Sequence, residues 1–321
     1  MQVFKTRGPL FIVIAAILWG VDGIWRRSLY SLPPITIVFY EHLIGFLILL
    51  PFFIPALRKE RFTPTPNGHQ NFGEKMPVMV WGFTRKEWGA LITVSLLSSV
   101  LGTLWFTTAL QKTSFISFSV VYLLQKLQPI FAIGSARIFL KERIGKGYVP
   151  WAALALIAAY FVTFPNGSVN LATGAGTIVA ALFALGAAFA WGSSTALSRF
   201  ALLNHSRTAV TGIRFGLATI FALLVALIMG TSISQTVPAN TQWLYLLAIA
   251  LSTGMVALLI YYEGLKYTPV KIATILELVF PLVAVFIDIF LYDKMLIPSQ
   301  YLAALVLLFA VRRVGALNST Q

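Results

Sequence analysis

The segment Leu123-Leu124-Gln125-Lys126-Leu127-Gln128-Pro129 sets two amides, a cation and a proline inside an apolar run from Phe115 to about Phe139. A run of that length is a membrane helix, since about 20 apolar residues cross a hydrocarbon core about 30 Å thick. At about 1.5 Å rise per residue, Lys126 lies roughly 16 Å from the helix start, near the bilayer centre. A charge at that depth costs on the order of 3 kcal/mol, so it needs a partner or a watery cavity. The same layout returns in Leu276-Glu277-Leu278-Val279-Phe280-Pro281, with a carboxylate in place of the first amide.

The rest of the chain agrees. Of its 321 residues 58% are apolar and only 11% charged, and the mean hydropathy is +0.84. Such values lie outside the soluble globular range. Cysteine is absent, which excludes disulfides, thiolate metal sites and cysteine nucleophiles. His42, His69 and His205 are too scattered in sequence for metal-ligand spacing, so neither a metal nor a cofactor is expected. Lys5 and Arg7 before an apolar run imitate a secretory signal, but the run continues to Ile24 without a small-residue cleavage site. It reads as the first span.

Ten apolar stretches of helix length follow one another, at about 9–26, 35–57, 87–110, 115–139, 148–164, 174–200, 207–229, 242–265, 270–292 and 297–314. The polar segment 58–86, with Pro64, Pro66, Asn67 and Gly68, reads as a mobile loop whose end, Met76 to Trp81, touches the membrane interface. With both termini in the cytoplasm, 17 of the 24 lysines and arginines face inward and 4 (Arg26, Arg27, Lys112 and Lys294) face outward. That bias orients a multi-pass protein in a plasma membrane, specifically a bacterial inner membrane. It also accounts for the net charge of +14 without nucleic acid as a partner. Arg26 and Arg27 run against the bias and suggest an outer vestibule or lipid headgroup contact.

The chain also repeats itself. Trp19-Gly20 matches Trp191-Gly192 at an offset of 172, and the same offset pairs His42 with Arg214. Downstream, Ala109-Leu110 matches Gly264-Leu265 at 155, Gln125 and Pro129 match Glu277 and Pro281 at 152, and Ile138 to Arg143 matches Ile289 to Lys294 at 151. The fall in offset is what the long loop in the first half would produce. The expectation is an all-α membrane protein of ten helices, divided into residues 1–165 and 166–321. Five spans per copy make the second copy enter from the opposite side, giving inverted repeats. Such halves supply an outward-open and an inward-open state of similar energy, as alternating access requires.

This pattern resembles the drug/metabolite transporter superfamily, in particular its ten-helix EamA type. The resemblance rests on Trp19-Gly20 and Trp191-Gly192, and on two proline-bearing helices that end in Phe139-Leu140-Lys141-Glu142 and Phe290-Leu291-Tyr292-Asp293. It spans about residues 9 to 315. It implies a substrate cavity lined by the first, third, fourth, sixth, eighth and ninth helices, with the fifth and tenth peripheral. It further implies secondary transport, often export, of small metabolites such as amino acids.

The candidate substrate-binding residues are Lys126, Gln125, Gln128, Trp19, Asp22, Glu277 and Trp191. Lys126 suits an anionic group, with Asp22, Glu41 or Glu277 as the alternative partner within the protein. Asp22 follows Trp19 by one helical turn and precedes Trp25 by another, an aromatic–carboxylate stripe suited to a cation. Glu277 could hold an ammonium group, carry a coupling proton or pair with Lys126. Glu41 and His42 form a second proton-site candidate, because histidine titrates near neutrality. Pro129 and Pro281 kink their helices and are hinge candidates. Tyr261 and Tyr262 read as packing or gate residues.

The combined expectation is a gradient-driven exporter of a small polar, zwitterionic metabolite, embedded in the lipid bilayer, with protons as the candidate coupling ion. Oligomeric state does not follow from the residues. A passive channel is the competing class, and an intramembrane enzyme is disfavoured, since Glu41–His42 is its sole acid–base constellation.

Overall fold

A computed structural model describes residues 2–62, 79–112, 120–169, 176–233, 238–292 and 295–317. Most of the polar loop, the start of the fourth apolar stretch and the Asp293–Lys294 pair lie outside the described residues. The described residues are all-α but for a short antiparallel hairpin, β1 (Met79–Val80) with β2 (Phe83–Thr84). Its helices are α1 (Gln2–Arg27), α2 (Pro34–Phe62), α3 (Arg85–Val94), α4 (Thr103–Lys112), α5 (Val120–Gln125), α6 (Gln128–Phe139), α7 (Val149–Thr163), α8 (Thr177–Leu202), α9 (Arg207–Ile228), α10 (Asn240–Leu251), α11 (Met255–Tyr267), α12 (Val270–Leu276), α13 (Phe280–Tyr292) and α14 (Pro298–Ala316). Among the described residues seven helical stretches are long and apolar enough to cross a membrane, and α7 is a shorter apolar helix.

Local chemistry sets the helix starts. The Thr84 hydroxyl accepts from the Glu87 amide at 3.3 Å while Glu87 Oε2 accepts from the Thr84 amide at 2.7 Å, a reciprocal cap that opens α3. Ser206 caps α9 through the Ala209 amide at 3.3 Å. Outward faces are greasy: Leu302, Leu305 and Ile228 are among the large apolar side chains left exposed, as a helix bundle in lipid requires. Inward faces are small. Ala303, Ala310 and Val314 of α14 meet Ala152, Ala155 and Ala159 of α7 in the core, and α2 packs along α9.

Three of the expected helices are interrupted. The fourth stretch is split at Lys126-Leu127, where α5 ends and α6 begins with Pro129 in its first turn. The ninth is split at Glu277–Val279, a single 3-10 turn between α12 and α13. The prolines therefore sit just after each break, at positions where their missing N–H disturbs no helical bond. The eighth stretch is broken at Ser252-Thr253-Gly254, between α10 and α11, and the third is continuous but changes to a π-helix over Ser95–Gly102. Neither irregularity has proline to announce it.

These breaks explain the repeated Trp-Gly pair. A Cβ added to Gly192 would lie 2.5 Å from the Gln128 carbonyl oxygen and 2.8 Å from the Phe131 Cβ. One added to Gly20 would lie 2.5 Å from the Val283 Cβ and 3.3 Å from the Phe280 carbonyl oxygen. Gln128 and Phe280 are each the residue before proline and open the helix that follows the break. Each glycine thus lets a long helix, α1 or α8, press against a break.

Candidate functional site

Between the broken helices lies a cavity of about 370 Å³. Trp19, Asp22, Gln125, Lys126, Gln128, Trp191 and Glu277 all line it, as do Glu41, His42, Pro129 and Pro281. Its wall also includes α2 and α9 through Glu41, His42, Arg214 and Phe215, so the second and seventh helices join those expected. The lining reaches Gly23 and Arg27, which are exposed; this is the mouth.

Two aromatic pairs form its walls. Trp19 meets Tyr261 with ring centroids 5.0 Å apart at 53°, and Trp191 meets Phe106 at 5.1 Å and 58°. The offsets found in the sequence, 172 for Trp19 to Trp191 and 155 for Phe106 to Tyr261, carry one pair onto the other. Trp191 is fixed further by its indole N–H, which donates to the Ser98 carbonyl at 3.1 Å. Ser98 lies in the π-helix, whose altered bonding leaves carbonyls free for such donors.

Charges in the cavity are organised differently from the expectation. Asp22 does not face a ligand alone: buried Arg26 pairs with it, and with Glu41 at 2.9 Å. Thr253, presented by the break between α10 and α11, donates to Asp22 at 2.6 Å. Arg26 is therefore a structural cation and not a headgroup contact, and the aromatic–carboxylate stripe for a cationic ligand is closed by it. The four-residue spacing of Asp22 and Arg26 on one helix face carried that signal. Trp25 leaves the stripe to pack near Tyr245, at 6.3 Å.

The Glu41–His42 couple is likewise divided. Glu41 serves Arg26, whereas His42 Nδ1 bonds the Val38 carbonyl at 2.8 Å and its ring packs on Phe215 at 5.0 Å. Among the described residues Glu277 pairs with no lysine. Its Oε1 accepts from the Tyr261 hydroxyl at 2.6 Å, and its Oε2 accepts from the Gln128 amide at 3.1 Å. The Gln128 bond ties the two breaks together across 149 residues of sequence. Tyr261 is thus both wall and hydrogen-bond donor, more than the packing role expected of it.

Lys126 is buried, and among the described residues no carboxylate lies within ion-pair distance of it. Its ammonium sits over the Phe280 ring, 4.4 Å from the centroid, a cation–π contact at the opposite break. Beside it, Gln125 Oε1 is buried without a hydrogen-bond partner. Arg214 is the cation that residue spacing alone did not place in the cavity. It donates to Ser99 at 2.6 Å, Ser98 at 2.9 Å and the Tyr262 hydroxyl at 2.6 Å. The serine pair Ser98-Ser99 is the trace it left in the sequence.

A model of the EamA-like transporter family matches the chain twice, over residues 6–164 and 178–314. The chain belongs to the EamA-like transporter family. It is 31% identical over 313 residues to the riboflavin transporter ImpX of Fusobacterium nucleatum, covering 97% of this chain and 98% of that one. An uncharacterized transporter of Methanothermobacter thermautotrophicus is 25% identical over 225 residues, which are 70% of this chain and 62% of its relative. One crystal structure shares the fold with a TM-score of 0.72 and 14% identity, over 98% of each chain. This EamA-family protein is a multi-pass membrane transporter of the drug/metabolite superfamily, and the cavity is where its substrate site must be sought.

Proposed function

We propose that the chain is a secondary transporter for a flavin of the riboflavin type, working by alternating access. The observation that carries this reading is the wall of the cavity. Two tilted aromatic pairs flank it, Phe280 closes a third side, and between them stand amides and hydroxyls. That surface suits a flat heteroaromatic ring joined to a polyol chain, through stacking and neutral hydrogen bonds. The likeness to a riboflavin transporter over nearly the whole chain points the same way. An amino acid would need a carboxylate opposite Lys126. Asp22 already holds Arg26 and Glu277 is already bonded twice, so the zwitterion reading has lost that partner.

Ten spans in two inverted halves, 1–165 and 166–321, supply the two states. The reading is supported by the double family match, by the breaks at Lys126 and Glu277, and by the aromatic pairs that the sequence offsets interchange. With both termini cytoplasmic, the mouth at Gly23 and Arg27 faces outward. A gradient drives the cycle, with protons as the coupling ion and Glu277 as its carrier.

Reconstituted protein in vesicles preloaded with unlabelled riboflavin tests this directly. Labelled riboflavin should accumulate transiently by counterflow, with riboflavin competing and amino acids failing to compete. A channel gives no overshoot, and competition by an amino acid without flavin accumulation restores the alternative substrate class. Imposing gradients of either sign on the same vesicles determines direction and coupling.

A further inference from the structure

Most polar groups in the cavity are already engaged with one another. Arg214 holds two serines and a tyrosine, Glu277 holds a tyrosine and an amide, and Asp22 and Glu41 hold Arg26. Besides the Arg26 Nη1 and the Ser194 and Thr274 hydroxyls, two adjacent side chains are not. Gln125 offers a buried amide oxygen with no donor, and Lys126 offers an ammonium whose contact is a ring face. A buried acceptor without a partner costs about 1–3 kcal/mol, and a midspan ammonium costs more. Both penalties are relieved when a ligand supplies a donor to one and an acceptor to the other.

We infer that the Gln125–Lys126 step recognises an imide edge, the C=O, N–H, C=O sequence found in uracil-like and flavin rings. The Gln125 oxygen accepts the ring N–H, and the Lys126 ammonium donates to a flanking carbonyl while Phe280 packs beneath it. Both side chains line the cavity at the break, although in an unbroken helix consecutive side chains diverge by about 100°. The pair distinguishes an imide donor from a methylated or donor-free ring by leaving the Gln125 oxygen unsatisfied with the wrong one, the most discriminating device a buried site has.

The inference rests on the flavin reading above, and the experiment separates the two. Purified protein is titrated with riboflavin, N3-methylriboflavin and lumichrome, following quenching of flavin fluorescence. Lumichrome keeps the imide edge and lacks the polyol. Wild type should bind riboflavin and lumichrome but lose about tenfold in affinity for the N3-methyl compound, the ratio that one satisfied buried hydrogen bond supplies. Gln125→Leu should weaken riboflavin about as much and bind the N3-methyl compound no worse than riboflavin. Lys126→Met should weaken all three ligands yet keep the N3-methyl discrimination. If wild type binds no flavin, the transport reading fails with it. If wild type binds riboflavin but accepts the N3-methyl compound equally, or Gln125→Leu keeps the discrimination, the imide assignment alone is wrong. Unchanged melting temperatures exclude misfolding as the cause, and Gln125→Asn, which retains the amide on a shorter arm, is the control where Gln125→Leu fails to fold.

Discussion

At the residue scale, polar groups in this bundle sort by whether another side chain already answers them. Glu277 is answered by neutral donors only, Tyr261 and Gln128, so its charge is the one in the cavity that a proton can remove without breaking an ion pair. Glu277→Gln should therefore keep riboflavin counterflow within about threefold while abolishing accumulation driven by an imposed pH gradient; a variant that still accumulates would remove Glu277 from the coupling step. Outside the spans, His205 lies in the short link between α8 and α9, with Glu60 Oε2 at 2.9 Å from Nδ1 and Glu87 Oε2 at 3.2 Å from Nε2. Burial pulls its titration down, but hydrogen bonds and attraction from the two carboxylates outweigh burial and hold it above the ordinary 6.5. A raised folded value means the protonated form is the one that folding favours. Its stabilisation is complete below 6.5 and is lost as pH rises through the folded value. Melting temperatures measured in detergent from about pH 6 to 9 should fall with pH, and His205→Gln should flatten that slope. The spacing of Asp22 four residues before Arg26 carried their pairing in the sequence, although the charge bias drew Arg26 towards a vestibule or headgroup reading. Arg214 was not legible there, because its partners come from a π-helix that no local pattern announces.

At the element scale, the chain's two anomalous prolines were readable as bends, while the place of each bend was not. Proline marks the residue after the break, and the break itself depends on what fills the space opposite. That filler is a glycine-bearing helix in each case: α8 through Gly192 against Gln128, and α1 through Gly20 against Phe280 and Val283. A methyl group cannot enter at 2.5 Å from a carbonyl oxygen, so Gly192→Ala must push α6 away from α8. Overpacking of this kind costs about 1–3 kcal/mol. Gly192→Ala should lower the melting temperature and weaken flavin binding together, since Gln128 sits at the contact. Gly134→Ala, where an added Cβ meets nothing within 4 Å, is the matched control and should leave both unchanged. Equal effects of the two substitutions would show that glycine matters in α6 and α8 for a reason other than this contact.

At the scale of the whole molecule, the family match over 6–164 and 178–314 was legible in paired motifs, because offsets in sequence survive any change of packing. What joins distant segments was not, because each joining contact pairs residues dozens of positions apart. Glu142 is the strongest of these contacts at the end opposite the mouth. Its Oε1 accepts from Arg199 at 3.1 Å and from the Val270 amide at 2.8 Å, and its Oε2 accepts from the Lys271 amide at 3.1 Å. One carboxylate thus caps the first turn of α12 and pairs with α8. Opening that end requires these bonds to break together, since α12 and α8 cannot separate while both are held. Glu142→Gln keeps an acceptor for one amide but gives up the charge on which the Arg199 pair depends. It should shift the resting population away from the state with its mouth at Arg27. The chain has no cysteine, so Thr103→Cys, at a half-buried position of the cavity wall, reports on the cavity by its reaction with a membrane-impermeant maleimide. In the orientation proposed, this cysteine is labelled from outside in whole cells. Adding Glu142→Gln should slow that labelling severalfold and speed labelling in inverted vesicles by a similar factor, as a shifted two-state equilibrium demands. A fall on one side without a rise on the other would mean that Glu142 maintains structure and does not gate.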